Sequence, residues 1–384
     1  MLKVCVVVAS RANYGRVKSL MREIQRSSEL ELQLIVGASL LIERFGKAVN
    51  VVTEDGFEPN RAIYYMVEGE NLITQAKSTG LGIIELATAF SDLKPDFVVS
   101  VADRFETMST AIAATYTNTP LIHIQGGEVS GNIDDRVRHS ISKLADFHFV
   151  ATERSKERLI RMGEPPHSVF NFGCPAMDII AETDLGISNS IMEKYGGVGA
   201  EIDWSKPYLL MIQHPVTTSF GRGLEEVRST LNALNSFLDM QKVVLWPNAD
   251  AGGEDVAKGI RVFRESSAGR GFHFYRNFSP EDFLRVLANC KCAVGNSSSF
   301  LREGEFLNIP AVMVGDRQKM REHGDNVVFV GYDAQEIENA IQGQLRLSRQ
   351  VRSGDSIFGR GDAGKRIASV IPSLRPSLLK GMTY

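Results

Sequence analysis

The sequence predicts an α/β protein of two doubly wound, mainly parallel sheets, and three observations carry that expectation. Continuous apolar runs of strand length, such as LKVCVVVA at 2–9, alternate with stretches whose apolar residues recur at helical spacing. The pattern restarts at Tyr208 after a less apolar stretch. Polar, glycine-bearing segments follow the strand-like runs, at the carboxyl edge where open α/β sheets place their ligands. A chain of 384 residues also exceeds one ordinary core and divides into two units of roughly 150–200 residues.

In the first unit, expected over 1–178, the run at 2–9 is a strand buried on both faces. It ends in Ser10-Arg11-Ala12-Asn13-Tyr14-Gly15, after which Val17, Leu20, Met21 and Ile24 mark a helix. The turn lacks the GxGxxG fingerprint, which argues against nicotinamide chemistry, while Arg11 there could reach a phosphate. Leu32–Ala38 is a second strand, and Thr79–Leu93 a helix whose apolar face is expected to use Leu81, Ile83, Ile84 and Phe90. The strand Phe97–Val101 then delivers Asp103 and Arg104, Leu121–Ile124 delivers the loop HIQGGEVSGNIDDRVRH at 123–139, and Phe147–Ala151 follows. That loop and Asp103 bring together Glu128, Asp134 and Asp135 without a local lysine cluster, a pattern suited to acid/base work. Capping of the next helix by Asp134 or Asp135 explains the same residues equally well.

The stretch from Gly173-Cys174-Pro175 to about Lys206 reads as an interdomain linker. In the second unit, 206–358, Tyr208–Ile212 delivers Gln213-His214, Glu225–Met240 is a helix, and Lys242–Trp246 delivers Pro247-Asn248. After the helix Pro280–Asn289 and the strand Cys292–Val294, Gly295-Asn296-Ser297-Ser298-Ser299 meets a helix running through Arg302 and Glu303. Such hydroxyls and N–H groups suit a phosphate site, favoured over an N-cap box, which accounts for only one or two of the three serines. Residues 363–374 form a last amphipathic helix, and the segment 361–384 is expected to pack back on the first unit. His139 and His148 are expected to be helix and strand residues with satisfied ring nitrogens, Phe220 and Trp246 to be packing groups, and His123 to point either into the core or toward a ligand.

Composition narrows the classes. A net charge of −3 with both signs interspersed gives no footprint for nucleic acid or an anionic membrane surface. No apolar run reaches membrane-spanning length, and a strand begins at residue 2, so a cytoplasmic protein is expected. Its four cysteines, Cys5, Cys174, Cys290 and Cys292, lack paired metal-site spacing and are expected to be reduced thiols.

The motifs SRANYGRVK, ADR at 102–104, GGEVSGNIDD, RHSISKLAD, QHPVTT, PNADAG, GNSSSFLREGEF and GDRQ occur in this order. Together they resemble those of the hydrolysing UDP-N-acetylglucosamine 2-epimerases of sialic and legionaminic acid biosynthesis, over nearly the whole chain. The resemblance implies a glycosyltransferase-B arrangement of two Rossmann-like domains, with the nucleotide held by the second and the sugar facing the first. It implies nucleotide contacts from Arg11, Gly15, Arg104, His214, Asn248, Ser297, Ser298, Glu303 and Arg317, with Asp103 and Asp134 as catalytic carboxylates. It further implies a UDP-sugar substrate, UDP as product, no redox cofactor or metal, and a homodimer or homotetramer. Family members commonly carry a catalytic glutamate where this chain has Gln125, which cannot transfer a proton at neutral pH. A natural variant in which Glu128, three positions on, or Asp134 carries that load is expected, ahead of an engineered substitution that traps a ligand or a binder without turnover. A 2-epimerase of a UDP-linked 2,4-diacetamido-6-deoxy sugar or of a GDP-linked sugar, a glycosyltransferase on the same fold and a silent nucleotide-sugar binder are the alternatives.

Overall fold

A computed structural model describes residues 1–69, 71–131, 133–216, 221–248, 250, 252–347, 356–377 and 379–381. Asn132, Thr217, Thr218, Phe220, Ala249 and Ala251, from the motifs and expectations above, lie outside them.

The first sheet has seven parallel strands: β1 (Leu2–Val8), β2 (Leu30–Gly37), β3 (Arg61–Ile63), β4 (Phe97–Val101), β5 (Leu121–Ile124), β6 (Phe147–Val150) and β7 (Val169–Asn171). Their order is β3-β2-β1-β4-β5-β6-β7. The β1 run is apolar throughout because both faces are covered. Val4, Val6 and Val8 enter one core cluster, while Cys5, Val7 and Ala9 enter the opposite one. The second sheet comprises β8 (Val198–Gly199), β9 (Tyr208–Ile212), β10 (Gln241–Leu245), β11 (Phe272–Tyr275), β12 (Cys292–Gly295), β13 (Ala311–Val314) and β14 (Val327–Val330). Its order is β14-β13-β12-β9-β10-β11-β8, with only β8 antiparallel. Apart from β7 and β8 at the edges, the two sheets share one topology. In each, strand order reverses beside the first long strand, between β1 and β4 and between β9 and β12, which opens a crevice at the carboxyl ends. The molecule is therefore a two-domain α/β fold of the glycosyltransferase-B type.

Two expectations change, and the last helix stands where it was expected. The fourth α-helix of the first half runs Leu72–Leu93, capped by the Asn71 side chain, and buries Ser78, Gly82, Leu86, Ala89 and Phe90. Leu81 and Ile84 face outward, at 43% and 64% exposure. Close packing on the helix Phe105–Tyr116 selects the small-residue stripe: a Cβ on Gly82 would stand 2.7 Å from Ser109 Oγ. The supposed linker is structured, with helices Ala176–Glu182 and Ser190–Tyr195 followed by β8. Met177, Ile179 and Ile180 are buried in a cluster with Leu284 and Phe358. The last helix is short, Ala363–Val370 with a 3-10 turn to Ser373, and its Ile367, Ala368 and Ile371 join the β1 core. Asp178 anchors its first turn, accepting from the N–H groups of Ala363 (2.9 Å) and Gly364 (2.6 Å). The chain passes between the halves twice, and the passages lie back to back: a Cβ on Gly173 would stand 2.7 Å from Gly359 Cα. Among the described residues no helix is long and apolar enough to cross a membrane.

Candidate active site

The carboxyl edges of the two sheets enclose a cleft of about 190 Å³. Ser10, Arg11, Gly15 and Arg16 reach it from the turn after β1, Asp103 and Arg104 from the end of β4, and Asp134 from the first turn of the helix Ile133–Leu144. Facing them are His214 after β9, Trp246 and Asn248 after β10, Phe278 after β11, Ser297, Ser298 and Glu303 after β12, and Arg317 and Arg321 after β13.

On the first wall, β4 and β5 each end in a non-glycine residue of positive φ, Ala102 and Gln125, both at 64°. Each still extends the ladder, Ala102 N to Ile124 O and Gln125 N to Phe149 O, both 2.9 Å, so the strain is held by the sheet. Beneath them His123 is fully buried, its Nε2 paired with Ala102 O (2.8 Å) and its Nδ1 with Ser142 Oγ (3.1 Å). Burial lowers its pKa to about 3, so the ring is a neutral support in the core. Asp103 is bound by the guanidiniums of Arg138 and, at 3.2 Å, Arg321. Burial alone would raise its carboxyl, but Arg138, Arg321 and Arg16 outweigh it and hold Asp103 well below the ordinary range. Asp134 goes the other way: burial and the Asp103 charge push it up to about 6. Two carboxylates set apart in this way divide into an ionised partner and a proton exchanger.

On the second wall, Gly295 has φ 131°, and a Cβ there would stand 2.1 Å from Ile212 O. That close approach lets Asn296 bridge to β9, accepting from His214 N (2.7 Å) and donating to His214 O (2.9 Å). His214 Nδ1 accepts from Asn248 N at 3.1 Å, which leaves the ring proton on Nε2. Burial, with Arg317, Arg11 and Arg104, drives its pKa well down, so His214 is a neutral donor. The helix expected through Arg302 and Glu303 breaks into Ser298–Leu301 and Glu303–Phe306. The break turns Arg302 toward the first wall, where Nη1 donates to Glu128 (3.1 Å) and Gln125 Oε1 (3.2 Å) and Nη2 to Ser298 Oγ (2.9 Å). Glu303 keeps one carboxylate oxygen, Oε2, buried without a hydrogen-bond partner, and burial raises its pKa.

A family profile described as UDP-N-acetylglucosamine 2-epimerase matches residues 22–372. The chain belongs to this family. It is 33% identical over 334 residues to the UDP-N,N'-diacetylbacillosamine 2-epimerase (hydrolyzing) of Legionella pneumophila, covering 86% of each chain. Identity is 31% to the GDP/UDP-N,N'-diacetylbacillosamine 2-epimerase (hydrolyzing) of Campylobacter jejuni, over 85% of this chain and 83% of that one. Among solved structures, the UDP-GlcNAc 2-epimerase of Neisseria meningitidis bound to UDP-GlcNAc superposes with TM-score 0.80 at 19% identity, over 97% of this chain and 100% of that chain. That of Methanocaldococcus jannaschii in complex with UDP-GlcNAc and UDP gives 0.78 at 17%, again over 97% and 100%. At those identities the likeness establishes the fold.

Within this epimerase-family cleft stand eleven of the residues singled out from the sequence: Arg11, Gly15, Asp103, Arg104, Asp134, His214, Asn248, Ser297, Ser298, Glu303 and Arg317. Gln125 and Glu128 do not line it. Gln125 bridges Cys174 Sγ (2.8 Å) and Arg302, and Glu128 lies under Arg302 and Arg321. Although burial opposes them, these cations hold Glu128 below its ordinary pKa and anchor its carboxylate between the two walls. Ring nitrogens also depart from expectation: Nδ1 of His139 and Nδ1 of His148 are buried without partners, although His148 Nε2 pairs with Glu164 at 3.0 Å. Trp246 lines the cleft as well as packing on the core. Sequence reasoning missed Arg16, Phe278, Arg138, Arg302 and Arg321. Arg138 was signalled by its spacing of three and four from Asp135 and Asp134 on one helix face, whereas Arg321 had no local signal.

Proposed function

We propose that this chain is a hydrolysing 2-epimerase that converts a UDP-linked 2-acetamido sugar, UDP-N-acetylglucosamine in the first place, to UDP and the free C2-inverted sugar. The observation that carries this reading is the unequal pair Asp103 and Asp134, with Arg11 on their own wall, facing His214 and Arg317 across one cleft. In an α-linked sugar of this kind the C1 oxygen and the C2 hydrogen are anti, and no carbonyl activates that hydrogen. The bond to the diphosphate must therefore ionise early. His214 Nε2–H and the arginines receive the departing charge, as do the hydroxyls of Ser297 and Ser298. Asp134, ionised above about pH 6, takes the C2 proton and a glycal results. Water then adds across the glycal, its oxygen at C1 and a relayed proton at C2 on the other face, and Asp134 releases the proton it took to solvent. The open oxygen of Glu303 suits the two hydroxyls of the ribose.

A second reading replaces the sugar by UDP-N,N'-diacetylbacillosamine, for which the Legionella and Campylobacter relatives are named. Both are tested by proton NMR in deuterated water. UDP together with N-acetylmannosamine deuterated at C2 supports the first; product from the diacetamido nucleotide alone supports the second; UDP bound without turnover of either would refute both. The outward Ile73, Leu81 and Ile84 of the Leu72–Leu93 helix support a homodimer or homotetramer, because apolar side chains grouped on one helix face favour burial against a second copy.

A further inference from the structure

Three consecutive residues of the C-terminal half touch the N-terminal half. The Met320 side chain covers Gly131, where a Cβ would meet its Cγ at 3.1 Å, and Glu322 accepts from the Thr152 hydroxyl at 2.7 Å. Between them Arg321 bridges Asp103 and Glu128. Arg321 is held from behind, since Nε donates to Gln318 Oε1 at 2.5 Å and Gln318 Nε2 donates to Asn296 O at 3.4 Å. Asn296 in turn grips the His214 backbone from both sides. A hydrogen-bonded path thus runs from the Gly295–Ser299 loop and His214 to Asp103. Arg302 makes a parallel link, from Ser298 to Glu128 and Gln125.

We propose that Arg321, with Arg302 beside it, is a positioning residue that completes the charge environment of Asp103 only when the C-terminal half has closed on the N-terminal half around the nucleotide. The inference rests on the epimerase reading above. Asp103 faces Arg138, Arg16, Asp134 and His123 from its own half, and Arg321 and Arg302 from the other. With the halves apart the Asp103–Asp134 pair loses two cations and binds protons at higher pH, so proton abstraction from the sugar becomes conditional on the grip of the nucleotide.

The test uses full-length Arg321→Met and Arg321→Lys, followed by the pH dependence of kcat/KM, UDP affinity by calorimetry, and UDP-induced compaction by small-angle scattering. Arg321→Met is expected to lose roughly 100-fold in kcat. Its acid limb should move to higher pH, its UDP affinity should stay within roughly threefold, and its compaction with UDP should be lost. Arg321→Lys should restore the position of the limb. Gln318→Leu keeps the guanidinium but removes its support, and should move the same quantities less; it decides the matter if Arg321→Met does not fold. An unmoved limb with normal compaction would overturn the proposal, as would a fall in UDP affinity as large as the fall in rate. Should the unmodified protein turn over no sugar nucleotide, the epimerase reading fails by itself. Compaction then decides alone: dependence on Arg321 supports the clamp, and independence overturns it.

Discussion

Asp134 and Asp103 differ in what surrounds them. Two guanidiniums touch Asp103, and Asp134 sits beside that charge in a buried place, so a proton is held on Asp134 up to about pH 6. With Asp134 as base, kcat/KM should rise with pH through about 6 and then level. Asp134→Asn should abolish that rise and lower kcat by roughly 100-fold or more, read from initial rates of UDP release. Glu303→Gln leaves a group of the same shape that presents an N–H toward the ribose, and UDP affinity by calorimetry should fall about 10-fold. His214 stays neutral through the acid range, so the His214→Asn variant should lower kcat without removing the limb near pH 6. Most of these residues were readable in the sequence because a short polar motif after an apolar run has one place to go, the carboxyl edge of a sheet. The role of Glu128 was not readable. Its neighbours Arg302 and Arg321 lie more than 170 residues away in the chain, and pairing over such distances leaves no periodicity.

Elements behave similarly. Buried parallel strands announced themselves as unbroken apolar runs, and β4, β5 and β9 begin and end where those runs do. The Leu72–Leu93 helix misled because helix contacts made through Ser78 and Gly82 depend on the absence of side chain, whereas a hydrophobic pattern counts its presence. At the other end of the first half, Glu164 is buried under His148 (3.0 Å), Lys143 (2.6 Å) and Lys380 (2.8 Å). Against the burial that would raise it, these partners bring its pKa to about 2. A depressed carboxylate pKa contributes stability above its unfolded value, near 4.3, and loses that contribution as pH falls toward 2. Its worth is on the order of 2–3 kcal/mol. Glu164→Gln should therefore lower Tm at pH 7 and leave a smaller difference at pH 3, measured by calorimetry.

At the scale of the molecule, the repeated topology was readable because each half repeats strand, polar turn and helix, while the packing of the halves was not, since it depends on residues joined only by folding. The outward apolar face of the Leu72–Leu93 helix belongs here too. Ile84→Asp should lower the mass measured by light scattering to that of a single chain, with turnover per chain reported alongside. The contact between Gly173 and Gly359 has its own consequence. Because the two backbone passages lean on one another at Gly173 and Gly359 and are tied beside that contact, where Cys174 N–H donates to Phe358 O at 2.7 Å, the molecule is mechanically a door hung on one short hinge. On the clamp proposed above, the leaves swing about this hinge, and gripping the nucleotide and readying the carboxylates become one movement. A methyl group at the hinge, as in Gly173→Ala, would force the passages apart and leave the leaves unable to meet.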